Sequence, residues 1–261
     1  MLLTPAELES LTRLLHQSPH SLLGMQPLGD GSGLVARAMI PDAVKVEVVP
    51  VHDRTRPKFA LKRLGDTCVF EGVTRKATFV YAYDPVLTDS AGRRSQGRDP
   101  YSFLPTVGET DQFLFNEGNH QRLYDVLGAH LRAPDGVAGT AFAVWAPNAR
   151  RVSVVGDFNQ WDGRRHPMRL LGASGIWEVF VPGIAEGALY QFEMTDAGGG
   201  LKVVTDPLAA FYELPPKHAA VVWDTGKFVW DDADWMRRRS ESNPLRRPMS
   251  IYEVHLGSWR R

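Results

Sequence analysis

Two tandem immunoglobulin-like β-sandwiches led by a short helix are what this sequence of 261 residues predicts. Three observations predict them. Short runs with apolar residues at every second position, separated by Gly and Pro turns, fill the chain from the first helix to about residue 226. The pattern comes twice, at a spacing of 106 to 107 residues. A repeat of about 100 residues is the size of one such sandwich.

The helix comes first. Thr4-Pro5-Ala6-Glu7 is a start signal, with a Thr cap, Pro in the first turn and Glu placed for a capping box. Leu8, Leu11, Leu14 and Leu15 then form an apolar stripe at helical spacing, as a packing element requires. Gly29, Gly31 and Gly33 follow. No Lys-Ser/Thr pair comes after them, so a hairpin turn explains them better than a phosphate loop.

The repeat is read residue against residue. Gly33 to Ala43 lines up with Gly139 to Ala149, and Val46, Val48 and Val49 fall on Val152, Val154 and Val155. Leu64-Gly65 falls on Leu171-Gly172, and Asp99-Pro100 on Asp206-Pro207. Leu23-Gly24 matches Leu127-Gly128 in the lead-in. The sequence thus divides into a first sandwich with its helix over 1–108 and a second over 109–226. The copies differ at one turn. The second reads Gly156-Asp157-Phe158-Asn159-Gln160-Trp161, whereas the first reads Pro50-Val51-His52-Asp53-Arg54-Thr55, without an aromatic residue.

Residues 227–249 are charged and poor in β pattern, with Asp231, Asp232 and Asp234 followed by Arg237, Arg238 and Arg239, and read as a solvated helix or linker. Residues 250–261 read as a new buried strand with no partner after it, the look of a truncated sequence. Lys plus Arg equals Asp plus Glu, 30 against 30, which argues against nucleic acid or an anionic membrane as partner. Cys68 is the single cysteine, the first residues lack the layout of a signal peptide, and no apolar run nears the roughly 18 residues of a bilayer span. A soluble cytoplasmic protein is expected.

Several motifs together resemble the N-terminal part of bacterial glycogen (1,4-α-glucan) branching enzymes. They are Leu22-Leu23-Gly24-Met25, Glu117-Gly118-x-His120, and Tyr124-x-x-Leu127-Gly128-Ala129-His130. Trp145-Ala146-Pro147-Asn148-Ala149, the turn through Trp161 and Ile251-Tyr252-Glu253-Val254-His255-Leu256-Gly257-Ser258-Trp259 complete the set. The resemblance implies a protein that transfers an α-1,4-glucan segment to form an α-1,6 branch, with retention, using a carboxylate pair roughly 5 Å apart in a (β/α)8 barrel. It makes 250–261 the first strand of that barrel and places nucleophile and acid/base beyond Arg261. No catalytic residue is therefore expected in this sequence, which alone should not branch glucan. The partners implied are α-glucan (glycogen, amylose or maltooligosaccharide) and the barrel; neither cofactor nor metal is implied. A free-standing glucan-binding scaffold and a fragment of a debranching hydrolase stay open as alternatives.

Trp161 is the leading glucan-contact residue, because an indole offers a flat apolar face to a pyranose and a polar N–H at its edge. Asn159 beside it can bond a hydroxyl or cap its own turn. Glycogen-binding sandwiches of the kinase-regulatory kind place a Lys in the following strand. Gln191 stands at that position here, with Lys202 nearby as the substitute. Trp145 and Trp177 lie within alternating strands and are expected in the core, and His120 and His130 in structural hydrogen bonds.

Overall fold

The computed structural model describes residues 2 to 259 and separates into two units, Met1–Asp224 and Thr225–Arg261. In the first unit, α1 (Pro5–Thr12) begins as its sequence dictates. Thr4 Oγ1 accepts from the Glu7 amide at 3.2 Å, and the Glu7 carboxylate accepts from the Thr4 amide at 2.8 Å. Leu11 and Leu14 are buried with Leu3, Leu23, Met39 and Val69, so the helix covers one side of the sheet that follows.

That sheet has seven strands: β1 (Gly24–Pro27), β2 (Leu34–Met39), β3 (Ala43–Pro50), β4 (Phe59–Arg63), β5 (Val69–Thr74), β6 (Tyr83–Asp89) and β7 (Arg94–Gln96). Their order is β1-β2-β5-β4-β3-β6-β7, with every neighbouring pair antiparallel. β4 is the corner, since Leu61 pairs with Val46 of β3 while Arg63 pairs with Phe70 of β5. A twisted sheet of this width curls. Met25, Leu34, Phe70, Val46, Val48 and Tyr83, from both flanks, close on one core. The first copy is thus one curled sheet rather than two separate ones. Leu28 and Gly33 close the β1–β2 hairpin, the turn expected of the nearby glycines.

The second copy repeats the lead-in helix and first strand, but its strands divide into two sheets. α2 (Glu109–Asn116) precedes β8 (Gly128–Arg132), β9 (Gly139–Trp145), β10 (Arg151–Gly156), β11 (Arg169–Leu170), β12 (Ile176–Pro182), β13 (Leu189–Thr195), β14 (Leu201–Val204), β15 (Phe211–Tyr212) and β16 (Ala220–Val221). One sheet runs β11-β12-β9-β8; the other runs β10-β13-β16-β15, with β14 also on β13. The alternation fixes which faces meet. Phe142, Val144, Trp177 and Val179 from one sheet pack on Val152, Val154, Tyr190 and Phe192 from the other. The opposite side of β9 and β12 is also buried, where Ala143 and Ile176 lie with Val107 and Leu127 and against Phe115 of α2.

Both lead-in helices and both first strands begin 104 residues apart, at Pro5 and Glu109 and at Gly24 and Gly128. Each glycine opens its strand at positive φ, +85° and +104°, with a carbonyl (Tyr101 O, Leu208 O) about where a Cβ would need room. The copies join through the Leu170 amide, which donates to Gln17 O at 2.7 Å, and through an Arg165–Asp42 ion pair.

Two expectations are corrected. Trp177 is core, but Trp145 is 55% exposed. It is the last residue of β9 and points to the face opposite Val144, where its ring meets that of Phe115 at 5.9 Å between centroids. The expected strand over 250–261 is not formed within the described residues. Residues 250–255 have no regular structure, and Leu256–Trp259 form a single helical turn; Arg260 and Arg261 lie outside the described residues. A strand needs a neighbour for its N–H and C=O groups, and no described residue of this unit supplies one. The rest of the unit is α3 (Ala233–Glu241) and its flanks, with Arg237 bonded to Asp234 at 3.0 Å and Arg239 lying over Trp235. No helix of the described residues is long and apolar enough to cross a membrane.

Candidate functional site

The aromatic turn grows directly out of β10. Gly156 ends the strand where a Cβ would fall 2.1 Å from Leu189 O, so no other residue fits there without movement. Asp157–Asn159 make one 3-10 turn, after which Gln160 and Trp161 both take left-handed backbone, φ +60° and +59°. Two successive non-glycine residues in that region are uncommon, and a bulky one there is an outlier. The Trp161 amide donates to Gly156 O at 3.0 Å, which holds the turn closed.

Asn159 is the pin of this turn. Its Oδ1 accepts from the Gly156 amide at 2.9 Å, which fixes the orientation of the amide. Nδ2 then donates to Val154 O and to His166 Nδ1, each at 2.9 Å. His166 Nδ1 is therefore an acceptor, and its proton sits on Nε2. Burial pushes the His166 pKa down to about 4, with Arg165 adding to the effect, so the ring is neutral at pH 7. At 2% exposure and with both amide atoms engaged, Asn159 shapes the turn rather than facing outward.

Trp161 is the residue that turn presents, 39% exposed, with its indole Nε1 donating to Asp157 Oδ1 at 3.2 Å. The following Asp162-Gly163-Arg164 is also tied down. Arg164 holds the Asp162 carboxylate at 2.7 Å and keeps its pKa low, while Gly163 lies against Glu193, where a Cβ would meet Oε1 at 2.1 Å. Glu193 in turn pairs with Arg151 at 2.8 Å.

The other two expected contacts do not converge on Trp161. Gln191 opposes Val155 on the outer face of β13, but it is buried, with Nε2 3.4 Å from Thr205 Oγ1. Lys202 opposes Met194, four positions along β13 from Tyr190 at the turn end, a distance of about 14 Å by strand rise. It lies on the core-side parity of that sheet and bonds Asp196 at 2.8 Å. Sequence reasoning passed over Arg151, Glu193 and Arg165. The signal for the first two was present, because the alternation that sends Val152 and Phe192 inward sends Arg151 and Glu193 outward. His120 meets Asp111 at 3.0 Å and His130 meets Leu127 O at 2.9 Å, structural bonds of the expected kind.

The site is thus an aromatic turn on the second of two small β folds in series. Comparison with known families agrees: residues 126–209 match carbohydrate-binding module 48 (isoamylase N-terminal domain). Residues 4–101 match the N-terminal domain of the alpha-1,4-glucan branching enzyme GlgB. The chain is 46% identical over 260 residues to a 1,4-alpha-glucan branching enzyme GlgB of Myxococcus xanthus, which covers 98% of this chain and 34% of that protein. It is 47% identical over 247 residues to the one from Rubrobacter xylanophilus, covering 94% and 33%. In sequence the chain corresponds throughout to the N-terminal part of the bacterial 1,4-alpha-glucan branching enzymes, and it spans about a third of the length of the curated relatives it matches.

Proposed function

We propose that the protein is a 1,4-α-glucan branching enzyme, that this chain is its N-terminal part, and that the second sandwich holds α-glucan at Trp161. One observation supports the last step above others. Trp161 sits in left-handed backbone at φ +59°, at a turn whose counterpart in the first copy has no aromatic residue. Such a conformation costs a bulky residue about 1–2 kcal/mol, and strain of this kind collects where a side chain must be aimed. The bond to Asp157 fixes the indole in advance, so little rotamer freedom is lost when a pyranose stacks on it. Held near a catalytic barrel, a glucan chain meets it at raised effective concentration. The family likeness supports the reaction itself, transfer of an α-1,4-linked segment to an α-1,6 branch point, by residues outside this chain.

Titration of the chain with maltoheptaose, followed by NMR, tests the reading. The Trp161 indole N–H signal shifts on binding, and Trp161→Ala weakens affinity roughly tenfold, about 1.4 kcal/mol. An unmoved indole, or equal affinities, removes Trp161. Incubation of the chain with amylose leaves the α-1,6 anomeric proton signal unchanged; its growth would overturn the division of labour.

A further inference from the structure

Between the two β folds of the first unit lies a cavity of about 320 Å³, walled by Met39, Ile40 and Leu87 from one copy and Phe158 and His166 from the other. A wider hollow of about 610 Å³ shares Ile40, Leu87, Ser95 and Arg165 with it and reaches Gln160, the neighbour of Trp161. Together they form one groove leading from the aromatic turn into the seam between the copies. Both volumes lie in the range of small-ligand sites, about 300–1,000 Å³.

The chemistry of the walls selects the ligand. Three of the four arginines along the groove are paired, Arg93 with Asp89 at 2.7 Å, Arg98 with Asp84 at 3.1 Å and Arg165 with Asp42, while Arg94 makes no ion pair among the described residues. Walls with most charges paired offer donors and acceptors side by side, which suits a neutral polyhydroxyl compound. Arg165 is held through Nη2, while its buried Nε–H finds no acceptor among the described residues. A buried donor without a partner is costly, which leaves the Arg165 guanidinium under-bonded at the groove wall. His166 adds a second donor, since its Nδ1 is already used by Asn159.

We propose that an α-glucan chain bound at Trp161 continues along this groove and places sugar units in the seam between the two copies, hydrogen-bonded to Arg165. The proposal rests on the Trp161 reading, and its test separates the two. A Cβ at Gly97, on the cavity wall, meets nothing within 4 Å, so Gly97→Trp fills the mouth without a backbone clash. Ser95→Trp, from an exposed position on β7, is the second blocking variant, and the Tm of each reports that it folds.

With maltoheptaose, the amide signals of Gly97, Arg98 and Arg165 shift together with the Trp161 indole in the wild type. Either blocking variant loses the groove shifts, keeps the indole shift and binds roughly tenfold more weakly, about 1.4 kcal/mol. An indole shift with unmoved groove amides, or blocking variants that bind like wild type, overturns the groove and leaves Trp161 standing. Groove shifts without the indole overturn Trp161 as the entry point, and silence at both overturns both. Groove shifts with inorganic phosphate but not with maltoheptaose make the seam an anion site and also sink the proposal.

Discussion

Tyr190 donates its hydroxyl to Asp206 Oδ2 at 2.6 Å deep in the second copy, and one repeat earlier Tyr83 meets Asp99 in the same way. In both copies the Tyr opens or nearly opens the strand that pairs with the repeat's Val-x-Val strand, β3 or β10. In both, the Asp heads the loop after the next strand, β7 or β14: Asp99 also accepts from the Tyr101 amide and Asp206 from the Leu208 amide, each at 2.9 Å. A tyrosine hydroxyl thus secures the exit of each copy. Burial raises the pKa of both carboxyl groups, and the Tyr bonds oppose that rise.

Replacing Tyr190 by Phe leaves Asp206 buried with one donor fewer. The expected cost is about 1–3 kcal/mol of unfolding free energy. The sign of its pH dependence follows from the charge. A carboxylate needs the lost donor and a neutral acid needs it less, so the cost is greater at pH 7 than at pH 4. Urea unfolding at both pH values measures it; a cost independent of pH removes the ionised Asp206 from the account.

Each copy also holds a buried Arg–Glu pair, the Glu recurring at the repeat spacing and the Arg coming from a different strand, β2 or β11. Glu178 accepts from Arg169 Nε at 2.7 Å and from Thr106 Oγ1 at 2.8 Å, and Arg169 also donates to Phe103 O at 3.0 Å. Glu71, 107 residues earlier, accepts from Arg37 at 3.0 Å and from the Leu2 amide at 2.8 Å, and Arg37 donates to Leu22 O. Each pair staples the lead-in segment to its sheet. Glu178→Ala strands a buried guanidinium and should cost about 3–5 kcal/mol, whereas Glu178→Ala with Arg169→Met recovers much of the loss. If the double variant is as unstable as the single one, the lost Thr106 bonds rather than the orphaned charge dominate.

The duplication was legible because it is written in properties a sequence displays directly: the alternation of Val152 and Val154, the glycines that open β1 and β8, and the paired Asp99 and Asp206. The aromatic turn was legible for the same reason. What stayed hidden depends on register and strand ends. Lys202 is two positions from the end of β14, and only its pairing with Met194 reveals that it sits on a different face from Gln191. Trp145 alternates like a core residue, yet it ends β9 where the cover runs out. Nothing in the sequence announces that Thr106 and Phe103 fold over Glu178 and Arg169. Asn159 was readable as a cap or a contact, and its burial decides for the cap.

Asn159 and Trp161 should therefore separate in experiment. Asn159→Ala removes three bonds and leaves the Gly156 amide buried without its acceptor, at a cost of about 2–3 kcal/mol. Trp161→Ala touches no core and should change stability by less than about 1 kcal/mol while weakening glucan binding. Parallel measurement of Tm and maltoheptaose affinity checks the contrast. A Trp161→Ala variant as unstable as Asn159→Ala would make the indole a packing group.

The same network sets an acid limit on stability. His166 is partly buried at the cavity wall, its Nδ1 is engaged by Asn159, and desolvation depresses its pKa to about 4. An unfolded histidine titrates near 6.5. Between those values the unfolded chain takes up a proton that the folded ring refuses, so stability falls as pH drops from about 6.5 toward 4, by up to roughly 3 kcal/mol. His20, depressed to about 3 by burial, acts with the same sign. Asp99 and Asp206, with raised pKa values, act with the opposite sign, so the wild-type profile alone cannot isolate His166. His166→Gln does isolate it. The stability advantage of wild type over His166→Gln should shrink as the solution is acidified from pH 7 to pH 4.5, and the His166 ring protons should show no titration near 6.5. Parallel stability profiles for the two proteins would mean that the ring accepts a proton in place, and that the Asn159 bond does not hold its Nδ1 as an acceptor.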